Sequence, residues 1–294
     1  MTKNWEDTFQ AWAQPPSSTE QDKCERAERM IRAAINDHKA FSDKVINVIS
    51  QGSYHNDTNV RQDSDVDICA CLTSTVYNDY SLAPNFRNNF PPATYTLTQF
   101  KRDLSLALTN KFGSNGIRTG SKAFDVHETT SRIDADVVPA LELRVHQTSG
   151  GIIYGTYIQT ADGSAIFNFP KQHHSNGISK NTNTGTAFKK VTRIIKRLRN
   201  EMAENNITIA SKIQSYLIEC LVYNVPNHVF LNKSYKQTVI DVLNTALQMT
   251  DSRYDSSSML EVNEVKFLFR DNQPWTKENA NKFLLEAIKF IMNN

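Results

Sequence analysis

Two aspartates that lie two residues apart have a spacing that is typical of a catalytic metal site. Asp65 and Asp67 lie in the segment SDVDIC, and the apolar run at 66–72 has the character of a β-strand. Because side chains alternate across a strand, both carboxylates point to one face. Mg²⁺ favours oxygen ligands and usually binds through one or two carboxylates together with substrate phosphates. The pair therefore predicts a metal site for phosphoryl-type chemistry.

A second acidic pair lies on a later predicted strand, in the segment RIDADVVPAL. Asp134 and Asp136 share one face of that strand, and apolar residues occupy the other face. Two metal ions about 3.5–4 Å apart let one ion lower the pKa of an attacking hydroxyl while the other stabilises a pyrophosphate leaving group. We therefore expect Asp65, Asp67 and one acid of this second pair to hold two Mg²⁺ ions, for which Mn²⁺ can substitute.

A glycine-serine turn supplies the remaining part of the predicted site. The β-branched segment VINVIS, residues 45–50, ends at Gln51, Gly52 and Ser53. Glycine lets the backbone approach a ligand closely, and N–H groups together with the serine hydroxyl can hold phosphate oxygens. Taken singly, Gly52 could make a simple turn and the acids could be solvated at a strand edge. Their combination on separate strands favours a site that binds a nucleoside triphosphate.

Hydrophobic periodicity predicts a sheet that carries these acids and a helical C-terminal half. Predicted strands cover 45–50, 66–72, 122–127 and 132–145. Predicted helices are an aromatic one with Trp5, Phe9 and Trp12, then 18–40, 97–112 and a last helix with Thr276 as N-cap. A hairpin-like region after Gly150 and a polar loop at 168–185 separate the two halves. The expected fold class is α/β (α+β), with a mixed-sheet catalytic lobe at 1–170 and a helical lobe at 171–294.

Composition excludes several classes of function. The formal net charge of +2 is too small for a general nucleic-acid binder, although a local basic cluster at 189–199 leaves an anionic ligand open. The four cysteines show no paired CxxC spacing, so we expect free thiols in a reducing compartment. The N-terminal segment resembles neither a signal nor a transit peptide, and no apolar run approaches the roughly 20 residues of a membrane span. These features predict a cytoplasmic protein with no membrane partner.

At the acidic motif the sequence resembles the polymerase-beta-like nucleotidyltransferases, because GSYHNDTNVRQDSDVDI matches their glycine-serine, spacer and acid-x-acid pattern. Within that superfamily it is similar to the bacterial CD-NTases, relatives of cyclic GMP-AMP synthase that make cyclic oligonucleotide signals in anti-phage defence. The narrower match is carried by QGSY with TNVR, by DADVVPA, and by NFPKQHHSNGISKN followed by KKVTRIIKRLRN and SYLIECLVYNVP. The likeness extends over nearly the whole chain and implies a bilobal polymerase-beta-like fold.

The resemblance also implies roles for individual residues. An acid followed by two apolar residues and proline is the family's metal ligand, which favours Asp136 over Asp134. Lys196 and Ser215 match positions that contact the triphosphate, and Tyr216 matches one that stacks on a base. Two alternatives stay open: Lys196 could be a solvated helix charge, and Tyr216 could be a core residue.

The expected activity is the metal-dependent condensation of nucleoside triphosphates (ATP, GTP, CTP or UTP) into a cyclic di- or trinucleotide, with pyrophosphate release. A downstream effector would recognise the product in anti-phage (CBASS) signalling, and a regulatory protein partner is open. His173 and His174 have no cysteines beside them, so the zinc-binding insertion of animal DNA sensors is missing and we expect no activation by double-stranded DNA. The alternatives are a linear-oligonucleotide or RNA-tailing transferase, and an inactive nucleotide-binding protein of the same fold.

Overall fold

The structure is a computed structural model that describes residues 3–15, 17–60, 66–86, 90–127, 129, 134–231, 234–270 and 273–294. Contacts divide the chain into two compact units. The helical unit comprises Met1–Pro16, Asn56–Gln62 and Lys171–Asn294, and the sheet unit comprises Ser17–His55 and Asp63–Pro170. The lobes at 1–170 and 171–294 stay a prediction, because compactness alone does not show which stretches fold independently.

The sheet unit is built on a mixed β-sheet that has seven strands within the described residues. The strands are β1 (Ile46–Gln51), β2 (Val66–Asp79), β3 (Ile117–Thr119), β4 (Phe124–Val126), β5 (Ala135–His146), β6 (Ile152–Gln159) and β7 (Ala165–Asn168). Their order is β1-β2-β5-β4-β3, with β6 pairing both β5 and β7. The β2–β5 pairing is parallel and the other pairings are antiparallel. The predicted mixed sheet is confirmed.

The two central strands differ from their predicted ranges: β2 is longer than 66–72, and β5 begins and ends later in the chain than 132–145. β2 continues to Asp79, beyond the predicted end at residue 72, with a register shift between Leu72 and Val76. Such a shift bends the strand locally without ending its pairing. The polar residues that follow Leu72 interrupt the apolar run, and for this reason the pattern predicts an end there. β6 and β7 form the predicted hairpin, but they extend the sheet instead of separating it from the helices.

Nine α-helices occur within the described residues. They are α1 (Trp5–Trp12), α2 (Ser18–Asn36), α3 (Gly52–His55), α4 (Leu97–Phe112), α5 (Pro170–Asn183), α6 (Ala187–Glu204), α7 (Ser215–Asn224), α8 (Tyr235–Met249) and α9 (Lys277–Asn293). α4 coincides with the predicted helix at 97–112, and Thr96 closes its N-terminus in a capping box with Gln99. α2 ends at Asn36, before residue 40, because His38 adopts an extended backbone.

The core of the helical unit gathers apolar faces from α1, α6, α7, α8 and α9. Phe9, Phe188 and Phe283 are fully buried in it. The predicted cap of the last helix is confirmed, since the hydroxyl of Thr276 accepts a hydrogen bond from the backbone N–H of Asn279 at 3.1 Å. Among the described residues no helix is both long and apolar enough to cross a membrane.

The predicted loop at 168–185 is wrong, because most of it forms α5 (Pro170–Asn183). Pro170 stands at the first helical position, where a missing N–H breaks no helical hydrogen bond. Two polar side chains then tie the helix to the helical unit: Asn176 donates to the carbonyl of Val262 at 2.9 Å, and Lys180 to that of Val225 at 2.6 Å. Tertiary contacts of this kind outweigh the low helix propensity of a stretch rich in asparagine, serine and glycine.

All four cysteines are buried free thiols, as expected. Cys69 and Cys71 lie in β2, and their mutual hydrogen bond together with burial raises the pKa of Cys69. A thiol held in its protonated form is a weak nucleophile. The cysteines therefore contribute packing to the core.

Candidate active site

Two of the three predicted catalytic acids lie side by side in the sheet unit. Asp67 of β2 and Asp136 of β5 are register partners in the parallel pairing. Neighbouring strands lie about 4.8 Å apart, and directly paired residues point to the same face, so the two carboxylates are adjacent. Both side chains are half-buried. Like charges placed opposite each other are destabilising, so this pair suits a bound cation.

The row of paired residues extends to both sides of these acids. Gln51, the last residue of β1, is the register partner of Asp67. On the other side Asp125 of β4 pairs with Asp136, and Arg118 of β3 pairs with Asp125 at 3.8 Å between Nε and Oδ2. The sequence gives no signal for Asp125 beyond its place in a predicted strand, because only the strand register shows which residues are neighbours.

Asp134, the alternative to Asp136, has a different position. It precedes the first residue of β5, and its backbone carbonyl accepts a hydrogen bond from the N–H of Val66 at 3.1 Å. Of the two acids in this motif, Asp136 is the one paired with Asp67. The backbone of Asp134 instead contributes a hydrogen bond at the start of the parallel pairing between β2 and β5.

The predicted phosphate-binding turn lies against Asp67. Gly52 follows β1 directly and has a backbone φ of +73°. A Cβ atom added at Gly52 would lie 2.8 Å from Cγ of Asp67 and closer still to its Oδ2, so the position has no room for a side chain. Gln51 and Ser53, on either side of it, are half-buried. The structure thus brings Gly52 and Asp67 into direct contact.

The carboxylate oxygens at this site decide whether it could bind a metal ion. Asp65 lies outside the described residues, so its place in the site stays a prediction. No group of three or more histidine, cysteine, aspartate or glutamate side chains that could hold a metal ion occurs among the residues that the structure describes. Asp67 and Asp136 alone still meet the usual demand of Mg²⁺, which takes one or two carboxylates and completes its shell with phosphates and water. The described residues therefore fit the predicted metal.

Lys196, predicted to contact the triphosphate, is buried in the helical unit. Its side chain is only 1% exposed, so the alternative of a solvated helix charge is wrong. Nζ donates to the backbone carbonyl of Thr58 at 2.9 Å and to the Thr58 hydroxyl at 3.2 Å, and it forms an ion pair with Glu219 at 3.3 Å. Contact between Lys196 and a triphosphate stays a prediction.

Glu219 is a buried acid that the sequence pattern does not single out. Its carboxylate accepts a hydrogen bond from the hydroxyl of Thr58 at 2.7 Å and lies 2.8 Å from Nε2 of His173. Burial alone would raise its pKa, but the charge of Lys196 and the charge and hydrogen bond of His173 lower the pKa of Glu219 to about 2. One signal in the sequence could have found it: Glu219 is a lone acid within the apolar segment SYLIECLV. An acid buried among apolar residues needs a charged or hydrogen-bonding partner.

Ser215 and Tyr216 occupy the start of α7, also in the helical unit. The hydroxyl of Ser215 accepts a hydrogen bond from Nη2 of Arg199 at 2.8 Å. Tyr216 is partly buried against the helical core, and its hydroxyl donates to Glu261 at 3.0 Å. Burial and the nearby carboxylate raise the pKa of Tyr216, so the phenol stays neutral. Their predicted contacts with triphosphate and base stay predictions.

Comparison with known families identifies the chain. The family model described as the Second Messenger Oligonucleotide or Dinucleotide Synthetase domain matches residues 4–150. The model described as the cGAS/DncV-like nucleotidyltransferase C-terminal helical domain matches residues 175–292. The chain belongs to the cGAS/DncV-like nucleotidyltransferases. The resemblance to CD-NTases is therefore confirmed, and this CD-NTase is a nucleotidyltransferase.

Similar proteins span the whole length of this CD-NTase. The Cyclic dipyrimidine nucleotide synthase CdnE of Legionella pneumophila is 48% identical, with 100% of both chains covered. The Elizabethkingia meningoseptica CdnE cyclic dinucleotide synthase, solved with GTP and Apcpp, has a TM-score of 0.82 at 31% identity and covers 98% of this chain and 99% of its own. The Rhodothermus marinus CdnE c-UMP-AMP synthase, solved with Apcpp and Upnpp, has a TM-score of 0.86 at 30% identity and covers 98% and 96%. These likenesses confirm the predicted fold.

Proposed function

We propose that this nucleotidyltransferase condenses two pyrimidine nucleoside triphosphates, UTP or CTP, into a cyclic dinucleotide. The observation that carries the chemistry is the pairing of Asp67 with Asp136 beside Gly52, which places two carboxylates against a turn able to receive phosphates. The choice of bases is supported by the cyclic dipyrimidine synthases of Legionella pneumophila, at 48% identity, and Cecembia lonarensis, at 36%. Relatives named for dipurine or UMP-AMP products are each 31% identical.

In this proposal the reaction is a nucleotidyl transfer to a ribose hydroxyl. A ribose hydroxyl of one nucleotide attacks the α-phosphorus of the other, the bond between the α- and β-phosphates breaks, and pyrophosphate leaves. A second transfer of the same kind closes the ring. Asp65, Asp67 and Asp136 would hold two Mg²⁺ ions, which when bound lower the pKa of the attacking hydroxyl and offset the charge of the leaving group.

The remaining predicted residues bind and orient the substrates in this proposal. Gln51, Gly52 and Ser53 hold phosphate oxygens through backbone N–H groups and the serine hydroxyl. Ser215 contacts the triphosphate and Tyr216 stacks on a base. The ammonium group of Lys196 has three N–H donors. Three acceptor atoms inside the protein already accept hydrogen bonds from it, which argues against a direct contact with phosphate.

The proposed product is a signal that a downstream effector protein recognises in anti-phage defence. The matching domain is described by its second-messenger products, which supports this role. We expect no activation by double-stranded DNA. A purified enzyme that makes no product alone but becomes active with a protein partner would indicate regulation by that partner.

The choice of bases is tested with equal concentrations of ATP, GTP, CTP and UTP and either Mg²⁺ or Mn²⁺. Products that survive phosphatase are identified by mass spectrometry. The proposal expects a cyclic product that contains only uridine and cytidine residues. A cyclic product with a purine would contradict the choice of bases, and products that are all linear would favour the linear-oligonucleotide or RNA-tailing alternative.

A further inference from the structure

A short segment between the phosphate-binding turn and the acids is held by charged side chains of the helical unit. This linker segment, Asn56–Val60, belongs by its contacts to the helical unit. Four of its five residues are buried, and only Asp57 is exposed. Asp57 has a positive φ of 53°, which L-residues rarely adopt without support from their surroundings. The segment is therefore fixed by its neighbours.

Helix α6 directs three cations at the linker segment. Nζ of Lys189 lies 3.1 Å from the carboxylate of Asp57, and Nη1 of Arg193 donates to the backbone carbonyl of Asp57. Nζ of Lys196 donates to the next carbonyl along the chain, that of Thr58. Three of the six basic residues in the cluster at 189–199 thus contact this segment of the chain.

The hydroxyl of Thr58 connects the linker segment to the buried ion pair. It donates to Glu219 at 2.7 Å and receives a hydrogen bond from Lys196 at 3.2 Å, while Thr58 itself is fully buried. The other carboxylate oxygen of Glu219 faces His173. Removing the hydroxyl would leave one oxygen of a buried charge short of a donor, and that change would loosen the segment without removing either charge.

The position of the segment in the chain gives this network a consequence for catalysis. The segment begins three residues after Ser53 and ends five residues before Asp65. Holding this segment restricts the backbone that follows the phosphate-binding turn, and such preorganisation determines how often reacting groups are aligned. A polar network that served only folding would stabilise the protein but would leave the rate of chemistry unchanged.

We propose that Thr58, held between Lys196 and Glu219, is a positioning residue for nucleotidyl transfer that fixes the segment following the phosphate-binding turn without touching substrate. This inference rests on the proposed function. In this inference Lys196 holds the linker segment in place through its hydrogen bonds to Thr58. If Lys196 contacted a triphosphate directly, it would instead be a substrate-binding residue. The two roles predict different kinetic effects, because loss of loop alignment lowers kcat whereas loss of phosphate contact raises KM.

The test compares Thr58→Val with two matched variants. Thr58→Ser keeps the hydroxyl, and Thr192→Val removes another fully buried hydroxyl, whose bond to the carbonyl of Phe188 lies within α6. We expect Thr58→Val to lower kcat by about 10- to 100-fold with KM for UTP changed less than about threefold. Thr58→Ser and Thr192→Val should keep kcat within about threefold of the parent. Equal kcat values for Thr58→Val and Thr192→Val, or a raised KM at unchanged kcat, would overturn the proposal.

Hydrogen exchange supplies a readout that does not depend on activity. In Thr58→Val the backbone amides of the linker segment should exchange faster, while those of α6 keep their protection, and unchanged exchange in the segment would refute the anchoring role. If Thr58→Val does not fold, Glu219→Gln keeps the size of the side chain and should show the same loss of kcat and protection. A parent enzyme that makes no product with any nucleotide, either alone or with a protein partner, would contradict the proposed function, whereas active variants with parental kcat contradict only the positioning role.

Discussion

Gly52 and Asp67 are in such close contact that the turn after β1 has no room for a Cβ atom. The methyl carbon of an alanine at position 52 would lie 2.8 Å from Cγ of Asp67, which is shorter than a van der Waals contact. It would lie closer still to a carboxylate oxygen. A predicted phosphate-binding residue and a predicted metal ligand are therefore in direct contact. Their positions depend on each other.

The first prediction concerns this contact. Gly52→Ala should displace the carboxylate of Asp67 and lower kcat/KM for cyclic product by roughly 100-fold, because misplacement of about 1 Å is enough for such a loss. The control is Gly150→Ala, whose φ of +84° is likewise positive, with nothing within 4 Å of the added Cβ. Both variants should lose about 1–2 kcal/mol of stability in thermal unfolding. Parental activity in Gly52→Ala would show that the contact has no catalytic importance.

The second prediction concerns the charges beside Asp136. Its two register neighbours, Asp67 and Asp125, are both acids. Asp136→Asn should therefore leave this row with one carboxylate fewer, which weakens the binding of Mg²⁺ and abolishes activity. Thermal unfolding with EDTA and with Mg²⁺ measures this effect. Mg²⁺ should raise the melting temperature of the parent and have little effect on Asp136→Asn. An equal rise in both proteins would place the metal elsewhere.

The third prediction concerns the buried ion pair. Lys196→Ala leaves the buried carboxylate of Glu219 without its lysine partner, and the loss of one partner in a buried pair costs about 3–5 kcal/mol. Urea unfolding measures the difference in the free energy of unfolding. Lys282→Ala, at an exposed position of α9, should change it by less than about 0.5 kcal/mol. A similar small change for Lys196→Ala would mean that the pair contributes little to stability.

The fourth prediction concerns the pH dependence of stability. The pKa of Glu219 falls from an ordinary value of 4.5 to about 2 in the folded protein, so the unfolded chain binds the proton more readily. The contribution of this carboxylate is fully present above pH 4.5 and is lost as the pH falls toward 2. Urea midpoints across this window should fall less steeply in Glu219→Gln than in the parent. Parallel curves would show that Glu219 is not the group responsible.

The sequence predicts those parts of the site that depend on local alternation. Asp67 and Asp136 follow from strand patterns with a period of two, and α4 follows from an apolar face that begins at a capping residue. A strand pattern shows which face a side chain occupies, and this is enough to place two acids on one side of a sheet.

Other features depend on partners that are distant in the chain. Asp125 joins the row of acids only through the pairing of β4 with β5. The pair of Lys196 and Glu219 needs a threonine more than a hundred residues earlier to complete it. α5 has the composition of a loop and is held as a helix by side-chain bonds to distant carbonyls. Such contacts leave no periodic signal in the sequence.

The most direct test of the proposed chemistry measures cyclic product and pyrophosphate from UTP and CTP with Mg²⁺ for the parent, Asp67→Asn and Asp136→Asn. Asp22→Asn, at an exposed acid of α2, is the control for the loss of one negative charge. The parent and Asp22→Asn should release two pyrophosphates for each phosphatase-resistant cyclic dipyrimidine product, and the two site variants should release none while remaining folded. Continued release of pyrophosphate by folded Asp67→Asn or Asp136→Asn would contradict the assignment of these acids to the catalytic site.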